Sequence, residues 1–95
     1  MNQRRNSIHH AVQEMHHCKA TYVESVTIFE RFDGKPAWEG VVEVFDLEGC
    51  NEAKRCYAWS FVRNNEPAFV IILHRFPIDG ALKAVQAHIM SQRRA

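Results

Sequence analysis

The sequence has few cysteines, few glycines and prolines, almost no net charge and no long hydrophobic run. Three cysteines without a C-x-x-C spacing do not suit a disulfide framework, so free thiols are expected. A net charge of +1 gives no overall field to attract nucleic acid or an anionic membrane. The longest apolar run, Ala68 to Leu73, is far shorter than the ~20 residues of a membrane helix. The start M-N-Q-R-R-N-S-I-H-H has no apolar segment typical of a secretory signal, and a cytoplasmic location is predicted.

The sequence also lacks the usual signs of catalysis. The four glycines are scattered, so no Gly-rich loop is available to hold a phosphate. Cys18 directly follows His17 and Cys56 falls within a predicted strand, but neither cysteine has a flanking glycine motif. Glu39 and Glu43 fall on one face of a predicted strand, where a solvent-facing position is expected. These observations predict a non-enzymatic protein that uses no cofactor.

The hydrophobic pattern predicts one compact α+β domain that spans residues 1–95. Short connections favour a meander of four antiparallel strands, and Asp33-Gly34 is a strong hairpin signal. The predicted order is α-β-β-β-β-α, with a short N-terminal helix and a C-terminal helix packed on the sheet. In order, the segments are a helix from Asn6 or Ser7 to about Cys18, strands at Ala20 to Phe32, Trp38 to Leu47, Arg55 to about Arg63 and Ala68 to Phe76, and a helix capped by Asp79.

Three features of this arrangement decide where the surfaces lie. Both helices are expected to cover the same face of the sheet, which would leave the other face open. The first strand has apolar residues in both phases, so a bulge within it would switch its faces. The F-V-I-I-L run of the last strand does not alternate, which predicts burial on both faces or a central position beneath a helix.

The segment K-R-C-Y-A-W-S-F, Lys54 to Phe61, alternates between small and aromatic residues. On a strand, Cys56, Ala58 and Ser60 point to one face, and the rings point to the other. Rings on an uncovered face would anchor a protein contact, and a homodimer is the simplest partner. The predicted interface or ligand face comprises Trp38, Tyr57, Trp59 and Phe61.

The alternative function for this strand is nucleic-acid binding, because exposed rings on a strand can stack on unpaired bases. Lys54, Arg55 and Arg63 would then contact phosphates. Neighbouring carboxylates at Glu39, Glu43 and Glu48 argue against this role because they repel phosphate. Protein contact is therefore the favoured prediction, and nucleic acid remains the alternative.

The first helix contains His9-His10 and His16-His17-Cys18. Imidazole and thiolate groups bind Zn²⁺ and similar ions, and the candidate ligands are His10, Glu14, His17 and Cys18. A spacing of seven residues separates the two histidine pairs by about 10 Å along a helix, too far for one metal ion. A solvent-exposed helix face is therefore the favoured interpretation, and no metal is predicted.

The segments W-E-G-V-V-E-V-F-D-L and A-K-R-C-Y-A-W resemble a group of small bacterial proteins of unknown function. The resemblance covers roughly the middle half of the chain. It implies a bacterial, cytoplasmic protein with a single compact α+β domain. It brings no established activity, so it assigns no role to any residue.

Overall fold

The computed structural model describes residues 3–93 and has the predicted α-β-β-β-β-α order. One open antiparallel sheet has the strand order β1-β2-β3-β4, which is a meander. The elements are α1 (Gln3–His16), β1 (Lys19–Phe32), β2 (Lys35–Glu48), β3 (Arg55–Arg63), β4 (Glu66–Leu73) and α2 (Ala81–Arg93). No helix in residues 3–93 is long and apolar enough to cross a membrane.

The two helices lie on opposite faces of the sheet, so the expectation that they share one face is wrong. Ile8 and Val12 of α1 pack into one apolar cluster, and Ala84 and Val85 of α2 pack into another. Successive side chains of a strand point to opposite faces, and the central strands are apolar in both phases. Each face therefore needs its own cover. We call the two sides the α1 face and the α2 face.

Both tight turns use residues with positive φ. Asp33 and Gly34 have φ of +53° and +76°, and Asn64 and Asn65 have φ of +54° and +67°. Two successive positive φ values are typical of type I′ hairpin turns, which match the right-handed twist of the flanking strands. The predicted Asp33-Gly34 hairpin is confirmed, and both hairpin tips lie at the same end of the sheet.

A bulge in β1 switches the faces of this strand. Tyr22 pairs with Phe45 and Glu24 pairs with Val44, so Val23 is an extra residue in the ladder. Tyr22 packs against the α1-face cluster, whereas Ile28 belongs to the α2-face cluster. The predicted face switch is confirmed, and the structure places it at Val23.

The buried faces of the helices are narrower than the sequence pattern suggests. In α2, Val85 is fully buried but Leu82 remains 46% exposed. In α1, Val12 is fully buried but Met15 remains 58% exposed. The sheet therefore covers only some of the apolar side chains that helical spacing places on one side of each helix.

Candidate binding sites

The aromatic strand β3 lies between the two helices. Its alternating small and aromatic side chains pack into two cores, one on each face of the sheet. Cys56 and Ala58 pack on the α1 face, where their small size lets α1 approach closely. Tyr57 and Trp59 pack on the α2 face, and each is only 3% exposed. Because α2 covers both rings, they are core residues and form no open surface. Of the three rings on this strand, Phe61 alone is exposed, at 42%.

Phe61 is exposed because the two hairpins diverge towards their tips. The β2–β3 ladder pairs Glu43 with Ala58 and continues from there to Asp46 and Arg55. In the other direction the same register would place Gly40 opposite Phe61, but no such pair forms between these described residues. The strands are thus separated by a gap, which we call the notch.

The notch is a cavity of about 360 Å³ that opens between β2 and β3. Both faces of the sheet contribute to its walls, and so does the C-terminal part of α2. Three of the four predicted aromatic residues lie there. Its lining comprises Arg4, Trp38, Glu39, Gly40, Val41, Trp59, Ser60, Phe61, His88 and Gln92.

The aromatic wall of the notch is held by edge-to-face contacts. The Trp59 ring centroid lies 5.3 Å from that of Trp38 and 5.4 Å from that of His88. Gly40 lets the Trp38 ring lie flat against the strand, since a Cβ there would be 3.1 Å from Trp38 Cη2. On the other side, Arg4 Nη2 donates to the Val41 carbonyl over 3.3 Å.

The interior of the α1 face contains one buried carboxylate, Glu43, which is 2% exposed. The expected solvent-facing position is therefore wrong for Glu43, although Glu39 is exposed. Arg5 Nε lies 3.1 Å from Glu43 Oε2, and Ser25 Oγ donates to Oε1 over 2.6 Å. The Arg5 guanidinium also covers the Tyr22 ring at 4.1 Å. Arg5 from α1 and Ser25 from β1 thus provide polar partners for the buried Glu43 carboxylate of β2.

The structure separates the basic residues predicted to contact phosphates. Lys54 and Arg63 lie at opposite ends of β3. Arg55 Nε lies 2.7 Å from Asp46 Oδ1, and this carboxylate raises the pKa of Arg55. With Tyr57 and Trp59 buried, these side chains do not border an exposed row of rings.

The side chains of the histidine-rich segment differ in burial, since some are half-buried and others are exposed to solvent. His9 is half-buried and stacks on Phe45 at 5.4 Å, so this part of the helix is not the expected solvated face. His10 and Glu14 are exposed and 3.2 Å apart, whereas His17 lies beyond the end of α1 with φ of +52°. Within residues 3–93, no three His, Cys, Asp or Glu side chains are grouped to hold a metal ion.

The two edge strands of the sheet differ in how they are protected. The edge strand β1 has the Val23 bulge and four charged residues, which are known to discourage pairing with another chain. The edge strand β4 has no charged residue after Glu66. Its side chains from Ala68 to Leu73 are all only half-buried and pack on both faces. The strand packs on both faces, but its side chains are not buried as predicted, because β4 lies at an edge and not at the centre of the sheet.

Protein-family models, curated proteins and solved structures were compared with the chain, and none matches it. The candidate sites therefore depend on geometry alone. Sequence reasoning singled out three of the ten residues that line the notch, Trp38, Trp59 and Phe61, but it missed the uncharged β4 edge. The signal for that edge was the uncharged run from Pro67 to Leu73 beside a hairpin turn.

Proposed function

We propose that this domain is a non-enzymatic interaction module that self-associates through the outer edge of β4. The observation that carries the proposal is the uncharged, half-buried part of the edge strand from Ala68 to Leu73. A strand edge presents unpaired N–H and C=O groups to a second chain. The absence of charged residues removes the usual barrier to such pairing, so a second copy of this edge is a suitable partner.

Symmetry supports a second copy as the partner. Two β4 edges can pair antiparallel about a two-fold axis, because each then presents the same surface to the other. Such a dimer would contain one continuous eight-stranded sheet. Side chains on both faces, including Phe69 and Val70, would gain neighbours from the partner strand. The gain in apolar burial accompanies the new backbone hydrogen bonds, and both stabilise the dimer.

The test is sedimentation equilibrium of the wild-type protein and two matched variants. Phe69→Lys places a charge on the β4 edge, and Phe29→Lys places the same charge on the β1 edge. The wild type and Phe29→Lys are expected to sediment as dimers, and Phe69→Lys as a monomer. Circular dichroism of each variant checks that the fold is retained. A wild-type protein that sediments as a monomer at every concentration would contradict the proposal.

A second candidate function, binding of an unpaired nucleic-acid base, is favoured by the notch. An aromatic base could contact Trp38 and Phe61, and Arg4 lies close enough to the same cavity to contact a phosphate. This site differs from the predicted open row of rings, since only the diverging ends of β2 and β3 contribute. The mixture of Arg4, Glu39 and His88 gives weaker charge complementarity than a dedicated phosphate groove.

Titration with a short single-stranded oligonucleotide, followed by tryptophan fluorescence, tests this candidate. Binding should weaken steeply with salt because counterions are released. Phe61→Ser should weaken the binding, whereas Phe76→Ser, which alters a ring that is 96% exposed outside the notch, should not. Unchanged fluorescence at low salt would exclude nucleic acid from the notch.

A further inference from the structure

Two of the three cysteines, Cys18 and Cys50, lie near the connection between α1 and β1. Lys19 pairs with Glu48 at this end of the β1–β2 ladder. Cys18 comes just before β1 and Cys50 comes shortly after β2, so both cysteines lie beyond the same end of the ladder. Both side chains are half-buried and pack against the α1-face cluster. The two thiols lie close enough for each to shift the pKa of the other. All three cysteines are free thiols in the structure.

The three thiols have different environments. The backbone N–H groups of Ala53 and Glu52 donate to the Cys50 sulfur and lower the pKa of Cys50. Burial, and the interaction with Cys50, raise the pKa of Cys18. Burial raises the pKa of Cys56 to about 12, and its side chain is 0% exposed. Thiolates are the reactive form of cysteine, so Cys50 is the most nucleophilic of the three.

We propose that Cys18 and Cys50 form a peroxide-sensitive dithiol, in which Cys50 reacts first and Cys18 closes a disulfide. The Cys50 thiolate attacks one oxygen of a hydroperoxide, an S–O bond forms and the O–O bond breaks. Two electrons pass from sulfur to the peroxide, and the departing oxygen takes a proton and leaves as water or an alcohol. The sulfenic acid on Cys50 is the product of this step.

The second step needs only the neighbouring thiol. The Cys18 sulfur attacks the Cys50 sulfur, the S–O bond breaks, and the hydroxyl group leaves as water with the Cys18 proton. The disulfide would join the segment after α1 to the β2–β3 loop. It would thereby fix α1 across the end of the sheet where His16 already lies 3.8 Å from Glu52 of that loop.

The experiment treats the reduced, full-length protein with one equivalent of hydrogen peroxide, blocks the remaining thiols and maps peptides without reduction. Trypsin places Cys18, Cys50 and Cys56 on separate peptides, spanning residues 6–19, 32–54 and 56–63. We expect the first two peptides to be joined, with the mass of two hydrogen atoms lost, and the Cys56 peptide to carry the blocking group. Full recovery of both Cys18 and Cys50 as blocked thiols, or a bond to Cys56, would overturn the proposal.

Three variants separate the roles of the thiols. In Cys18→Ser, the Cys50 sulfenic acid should persist and react with dimedone. In Cys50→Ser, Cys18 should remain a thiol at the same peroxide dose. Cys56→Ala is the matched control and should still form the disulfide. Dimedone labelling of Cys18 in Cys50→Ser, equal to that of Cys50 in Cys18→Ser, would contradict the assigned order.

Discussion

Glu43 carries a carboxylate inside the α1 face, and its partners come from two other elements. Arg5 and Ser25 both contact its oxygens, and Tyr22 Oη lies 2.8 Å from Ser25 Oγ. A buried charge without such partners costs several kcal/mol, so the cluster constrains how α1 and β1 dock on β2. The same pattern of alternating residues places Glu39 on this face, but nearer the hairpin tip, where it is exposed.

Replacing Glu43 with Ala should lower the free energy of unfolding by about 2–4 kcal/mol, because Arg5 and Ser25 lose the group they contact. Glu39→Ala is the matched control on the same strand face and should change stability by less than about 0.5 kcal/mol. Urea unfolding of both variants checks the difference. Equal losses in the two variants would mean that the buried ion pair contributes no net stability.

Burial of Cys56 predicts a dependence of stability on alkaline pH. Its pKa rises from 9.0 to about 12 in the fold, so the folded state holds the thiol proton more tightly than the unfolded state does. The resulting stability is complete below pH 9 and is lost as pH rises towards 12, at up to about 1.4 kcal/mol per pH unit. The stability difference between the wild type and Cys56→Ala should therefore shrink over this range. A constant difference in urea unfolding from pH 8 to pH 11 would contradict this expectation.

At the scale of elements, each helix docks through very few fully buried side chains. In α2 these are Ala84 and Val85, which cover Trp59 and its neighbours on the α2 face. Leu82 lies three residues before Val85, so helical periodicity alone places both side chains on one side of α2. In the structure Val85 is buried in the α2-face cluster, whereas Leu82 stays half-exposed.

Val85→Ala should therefore cost about 2 kcal/mol of unfolding free energy, although it removes fewer atoms than Leu82→Ala. Leu82→Ala should cost less than about 1 kcal/mol, because its side chain stays 46% exposed. Thermal or urea unfolding of this pair tests how α2 is oriented on the sheet. A larger loss for Leu82→Ala would place the other side of α2 against Trp59.

At the scale of the molecule, strand backbone is left without a neighbouring strand at the outer edges of β1 and β4 and at the notch. Pairing of β4 with a second copy predicts that its amides exchange hydrogen more slowly at high protein concentration. The β1 edge should show no such change, since its bulge and charges oppose pairing. The effect should be the same at low and high salt, because no charged residue lies between Pro67 and Leu73. Hydrogen exchange followed by mass spectrometry measures both edges in one experiment on the wild-type protein.

The amino-acid sequence by itself determined the elements, their order and the hairpin at Asp33-Gly34, because periodicity and turn chemistry are local properties. It also singled out three aromatic residues that line the notch, Trp38, Trp59 and Phe61, although it predicted an open face there and not a notch. Only the tertiary structure decided that the helices cover opposite faces, because a strand that is apolar in both phases does not show which face receives which helix. The tertiary structure also decided that Tyr57 and Trp59 are core residues, that Glu43 is buried and that Cys18 lies near Cys50. Each of these outcomes depends on contacts between residues distant in the chain, whose geometry no local pattern encodes.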